Sequence, residues 1–172
     1  MKKGISLLTS VLLTVSAMPM TTSAQTQLDL NGDGLVNGYD ASLIMERYLE
    51  IAVQEYNSPV LTDEIRAQIE AVADLNGDGD INAADPTILL KEIKSNNKAG
   101  DINCDGILDG RDASAILSYY AKRAVGYAYP AEEKGLEYCV YALGDYDGND
   151  LIDGRDASEV LKTYMKASTD KN

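Results

Sequence analysis

The segment D-I-N-C-D-G-I-L-D-G-R-D, residues 101–112, decides how this chain is read. Oxygen-bearing side chains stand at its first, third, fifth, ninth and twelfth positions: Asp101, Asn103, Asp105, Asp109 and Asp112. A hard cation such as calcium takes six to eight oxygens at that spacing, and position 7, here Ile107, adds its backbone carbonyl. Zinc or copper would call for His or Cys ligands, and the chain has no His.

The same register occurs three more times. Residues 29–40 supply Asp29, Asn31, Asp33, Leu35 (carbonyl), Asn37 and Asp40. Residues 74–85 supply Asp74, Asn76, Asp78, Asp80 (carbonyl), Asn82 and Asp85, and residues 145–156 supply Asp145, Asp147, Asn149, Leu151 (carbonyl), Asp153 and Asp156. Four calcium sites are therefore expected, two per module. Position 6 needs a turn that favours positive φ, and Gly34, Gly79 and Gly106 provide it. The fourth loop has Asp150 there, which predicts a weaker site. Position 8 is apolar throughout (Val36, Ile81, Leu108, Ile152) and is expected to face the core.

Charge follows the same pattern. Sixteen of the 28 acidic residues lie in these four loops. Two carboxylates about 4 Å apart repel by about 4 kcal/mol at an effective dielectric near 20. A loop gathering several of them opposes its own compact form until a cation binds, so metal uptake and folding are expected to be coupled. The net charge of −13 argues against nucleic acid and anionic membrane as partners.

The first 24 residues read as a secretory signal: Lys2 and Lys3, an apolar run from Ile5 to Val15, then Thr22-Ser23-Ala24 for cleavage. Its removal takes the formal charge to −15, and the mature protein is expected to be extracellular.

Each loop is followed by apolar residues at helical spacing: Ala41, Ile44, Met45 and Tyr48; Pro86, Leu89, Leu90 and Ile93; Ala113, Ile116, Leu117 and Tyr120; Ala157, Val160, Leu161 and Tyr164. Pro86 sits at a tolerated helix start. Two inserts, Asp63–Ala73 and Ala131–Ala142, also read as helices. The loops start 45, 27 and 44 residues apart, an A-B-A-B duplication. It predicts an all-α chain of two modules, 25–97 and 98–172, each a pair of calcium loop–helix repeats with an intervening helix. Pairing of the second loop with the third is the alternative. Cys104 and Cys139 are expected to form a disulfide in a secreted chain, with two unrelated buried thiols as the alternative.

The motif D-x-N-x-D-G-x-x-N/D-x-x-D with a following amphipathic helix, in duplicate, resembles the dockerin family. The long inserts are similar to those of ruminococcal rather than compact clostridial members. The resemblance implies binding to cohesin domains of scaffold proteins in secreted, polysaccharide-degrading assemblies of cellulosome or amylosome type, with cell-surface attachment through a bound scaffold. It also implies a partner face built from loop positions 10 and 11 and helix positions 17, 18 and 22. Carried onto this chain, that face includes Tyr39, Met45, Arg111, Leu117, Lys122, Arg155, Leu161, Lys162 and Lys166. Residues 109–114, D-G-R-D-A-S, recur as 153–158, so the second module is expected to offer its partner two equivalent orientations.

Loops one and three lack a preceding helix and position 12 is Asp, both of which count against the alternative, a secreted calcium buffer or sensor. An enzyme is not expected, because without His no nucleophile–base pair can be assembled. A monomeric adaptor is the leading expectation.

Overall fold

The computed structural model describes residues 27–170; the expected signal segment 1–24 lies outside them. Among the described residues the fold is all-α, with six α-helices and no strand. Each loop leads directly into a long helix: α1 (Gly38–Ala52), α3 (Ala84–Asn96), α4 (Gly110–Ala124) and α6 (Gly154–Thr169). The inserts contribute α2 (Asp63–Val72) and α5 (Lys134–Leu143), the latter entered through a 3-10 turn at Ala131–Glu133. No described helix is long and apolar enough to cross a membrane.

Helix starts are written into the loops. Asn37, Asp109 and Asp153, each at loop position 9, are N-caps whose side chains accept from the backbone N–H two residues on. Asp40, Asp112 and Asp156 complete reciprocal capping boxes from the third helical position. In the second repeat Asn82 accepts from the N–H of Ala84. Thr62 caps α2 through the N–H of Ile65.

One core runs through the described chain. It takes Ile44 from α1, Ile69 from α2, Leu89 and Ile93 from α3, Ile116 from α4, Val140 from α5 and Val160 from α6. The loop-following helices pack in pairs, α1 with α3 and α4 with α6. Helix α5 lies chiefly on α1 and also touches α3 and α4, so the second insert joins the two pairs. Two glycines permit that approach. A β-carbon on Gly38 would lie within 2.8 Å of the backbone at Tyr138 and Cys139, and one on Gly135 would enter the ring of Tyr39. The linker is tied to the same helix, the N–H of Gly100 donating to the carbonyl of Leu143 at 2.6 Å.

The expected disulfide is not formed: Cys104 and Cys139 are free thiols. Cys139 is buried where α5 crosses α1, its thiol 3.7 Å from Oδ1 of Asn37. Cys104 serves the turn of loop three, with φ of 58°. Burial pushes both thiols up to about 12, so they are not thiolates at neutral pH.

The inserts hold the helices differently. In the first, Ser58 Oγ and the Tyr56 hydroxyl both donate to Glu46 of α1. Arg66 of α2 pairs with Glu50 at 2.7 Å. In the second, Lys122 of α4 pairs with Glu133 at 2.6 Å and lies 4.7 and 4.8 Å above the rings of Tyr127 and Tyr129.

Candidate metal loops and partner face

All four loops share one hydrogen-bonding plan. The position-1 carboxylate gathers N–H groups from across the turn: Asp29 accepts from Asp33 and Gly34, Asp74 from Asp78 and Gly79, Asp101 from Gly106, and Asp145 from Asn149 and Asp150. Position 3 (Asn31, Asn76, Asn103, Asp147) accepts from the N–H of position 5. Position 5 (Asp33, Asp78, Asp105, Asn149) accepts from the N–H of position 7, which is Leu35, Asp80, Ile107 or Leu151. These bonds close each turn on the side chains at positions 1, 3 and 5.

Position 12 closes each loop. One oxygen of Asp40, Asp85, Asp112 and Asp156 accepts from the N–H of position 2 at 2.8–2.9 Å. The other accepts from the N–H of position 9, also at 2.8–2.9 Å. All four are buried, so each pins the mouth of its loop to the first turn of its helix. Burial, opposed by N–H donation from Asn37, Leu30 and Asn31, pushes Asp40 up to about 6.

Three observations test the fit to a cation. In loop four, oxygens of Asp145, Asp147 and Asp156 lie within 4.8 Å of one another. In loop three, Oδ1 of the buried Asp101 has no hydrogen-bond partner, and burial raises its pKa, helped by the charges of Asp112 and Asp105. An unpartnered carboxylate oxygen at position 1 is the group a hard cation would satisfy. Finally, the guanidinium of Arg111 sits 2.9 Å from both Asp105 and Asp109, so a positive charge is already drawn to loop three. The donor set is all oxygen and fits calcium.

Sequence reasoning passed over two loop positions. Position 4 has positive φ in every loop, at Gly32, Gly77, Cys104 and Gly148; the glycine repeated in three of the four was a readable signal. Position 2 is apolar throughout, and Leu30 and Ile102 are buried there. Position 6 has positive φ as expected, including Asp150 at 65°. Val36, Ile81, Leu108 and Ile152 at position 8 pack against the core.

The residues expected to meet a partner are placed unequally. Leu117 and Leu161 are 52% and 40% exposed, and Arg111, Arg155, Lys162 and Lys166 are on the surface. Met45 is half-buried in a groove with Leu90, Tyr138 and Tyr141. Tyr39 rests on Gly135, and Lys122 is held by Glu133.

A family model described as the dockerin type I domain matches residues 27–94 and again 72–121. Together the matches run from 27 to 121, more than half of the 172 residues. The chain belongs to the dockerin type I family. Dockerin domains bind calcium and cohesins and are adaptor modules without catalytic function. The two dockerin matches share residues 72–94, so the second loop and helix pair with the first repeat in one and with the third in the other. No curated protein and no solved structure matches the chain.

Proposed function

We propose that this dockerin-family chain is a secreted, calcium-dependent adaptor that binds cohesin domains of scaffold proteins in a polysaccharide-degrading complex. We take it as two repeat pairs, 25–97 and 98–172, interlocked through α5. Its four calcium sites use the side chains at loop positions 1, 3, 5, 9 and 12 and the carbonyls of Leu35, Asp80, Ile107 and Leu151. One observation carries the reading: in all four loops a buried position-12 Asp ties the loop to the helix that follows. A cation drawing the loop oxygens together thereby fixes where each helix begins, and the helix faces are what a partner reads. Binding calcium offsets the repulsion among the loop carboxylates.

A capture experiment tests this. The mature chain is passed over a panel of immobilised cohesin domains with calcium and with a chelator, and calorimetry counts the ions taken up. Calcium-dependent capture with four ions per chain is expected. Calcium uptake without capture of any cohesin would favour a buffer or sensor, and no uptake would remove the adaptor reading altogether.

A further inference from the structure

We propose that α6 alone is the docking helix of this chain, that repeat one is largely engaged with its own chain, and that α6 seeks an acidic surface bordered by an apolar patch. The inference rests on the adaptor reading above and names which of four related faces serves it.

Equivalent positions in repeats one and four have opposite surroundings. At position 10, a β-carbon on Gly38 would collide with the backbone of α5, whereas Gly154 has no atom within 4 Å of that point. At position 11, the ring of Tyr39 lies against Gly135 of α5 while its outer side stays exposed, whereas Arg155 is exposed. At position 18, Glu46 is 4% exposed and bonded to Tyr56 and Ser58, while Lys162 is on the surface. At position 22, Glu50 is locked by Arg66 and Arg47, while Lys166 forms no ion pair among the described residues. Repeat one thus has positions 10, 18 and 22 taken up from within.

The near-duplicate repeat three is also engaged. Its Lys122 is held by Glu133 and two tyrosine rings, and its Arg111, although exposed, spends its charge on Asp105 and Asp109 of its own loop. In repeat two, Leu90 is half-buried in grooves beside Tyr141 of α5, and position 11 is the uncharged Ala84. Helix α6 remains. Arg155, Lys162 and Lys166 fall at i, i+7 and i+11, one stripe of a helix, beside the exposed Leu161 and Met165. Lys162 meets only the exposed Glu159 of its own helix, a pair that binding can readily exchange. In a chain of net charge −13, this basic stripe beside an apolar pair complements a row of carboxylates bordering an apolar patch. The D-G-R-D-A-S duplication therefore does not give two orientations; one partner binds, in one sense.

The test titrates the calcium-loaded full chain with whichever cohesin domain the panel captures. One cohesin per chain is expected. The double reversal Lys162→Glu/Lys166→Glu should weaken binding about tenfold, with the loss shrinking as salt rises. Leu161→Asp should weaken it about thirtyfold, and Leu117→Asp should leave it unchanged. Thermal unfolding in calcium reports whether each variant is folded, and the salt dependence of the unaltered chain supplies a measure that needs no variant. Two cohesins per chain, equal loss at Leu117 and Leu161, or salt-independent affinity would overturn the inference while leaving the adaptor reading intact. Failure of every cohesin to bind the unaltered chain would overturn both.

Discussion

Gly135 of α5 lies beneath the ring of Tyr39, so close that a β-carbon there would fall within 2.6 Å of Cδ1, Cγ and Cε1. Gly38 makes the matching approach to the α5 backbone. A methyl group on Gly38 meets the α5 backbone and must push the two helices apart, and one on Gly135 must displace the ring of Tyr39. Gly38→Ala and Gly135→Ala should each destabilise by about 1–3 kcal/mol. Gly154→Ala, with open space around it, should be neutral or stabilise by up to about 1 kcal/mol. Chemical denaturation of the three variants in calcium measures the contrast.

The position-12 carboxylates accept from backbone N–H groups at loop positions 2 and 9 with no ion needed to hold them there. Asp112→Ala leaves the N–H groups of Ile102 and Asp109 without that acceptor, a penalty of about 1–3 kcal/mol for each that stays dry. The variant should therefore melt lower than the unaltered chain even in chelator. Identical melting in chelator would mean the residue acts only through the metal.

Calcium should stabilise the native chain by mass action. An ion present at a hundred times its dissociation constant contributes about 2.7 kcal/mol per site. Differential scanning calorimetry should show the transition falling steeply on chelation and recovering on readdition. A transition indifferent to chelator would refute the coupling of folding to metal.

Acid should release the first insert. The hydrogen bonds of Arg66 hold Glu50 down to about 2 from its ordinary 4.5, against the opposing effect of burial. A depressed carboxyl stabilises the fold fully above 4.5 and loses that contribution as the pH falls toward 2. Glu50→Gln should be less stable at neutral pH by about 1–3 kcal/mol, and its stability should decline less between pH 4.5 and 2. Urea titrations across that window decide it.

Asp150 turns loop four through φ of 65°, where the other three loops have glycine. A left-handed residue with a side chain carries strain of about 1–2 kcal/mol, less for Asp than for most. Asp150→Gly should stabilise by about 0.5–1 kcal/mol net of the added freedom of the unfolded chain, and tighten calcium at that loop. Calorimetric titration of the variant measures both.

The loops were legible because each oxygen position is a residue type at a fixed spacing. The helices were legible because an apolar stripe marks a buried face. What the stripe does not say is what covers it. Ile44 reads as core, yet no sequence signal places α5 across α1, since that crossing depends on the absence of side chains at Gly38 and Gly135. Cys139 belongs to that same α1–α5 contact, its thiol beside Oδ1 of Asn37, a place that its sequence position alone does not reveal. The recurrent glycine of position 4 was readable and went unread. The inward turn of Glu46 and Glu50 was not, because a charged residue on a helix is solvent-facing until a neighbour such as Ser58 or Arg66 claims it.

The bond from Gly100 to Leu143 and the seating of α5 on α1 have a practical consequence for anyone dissecting the protein. A fragment ending at the polar linker would strip α1 of its cover and leave apolar surface bare to water. Such a half should aggregate or dimerise rather than behave as a miniature of the whole, and the second insert would have to travel with it.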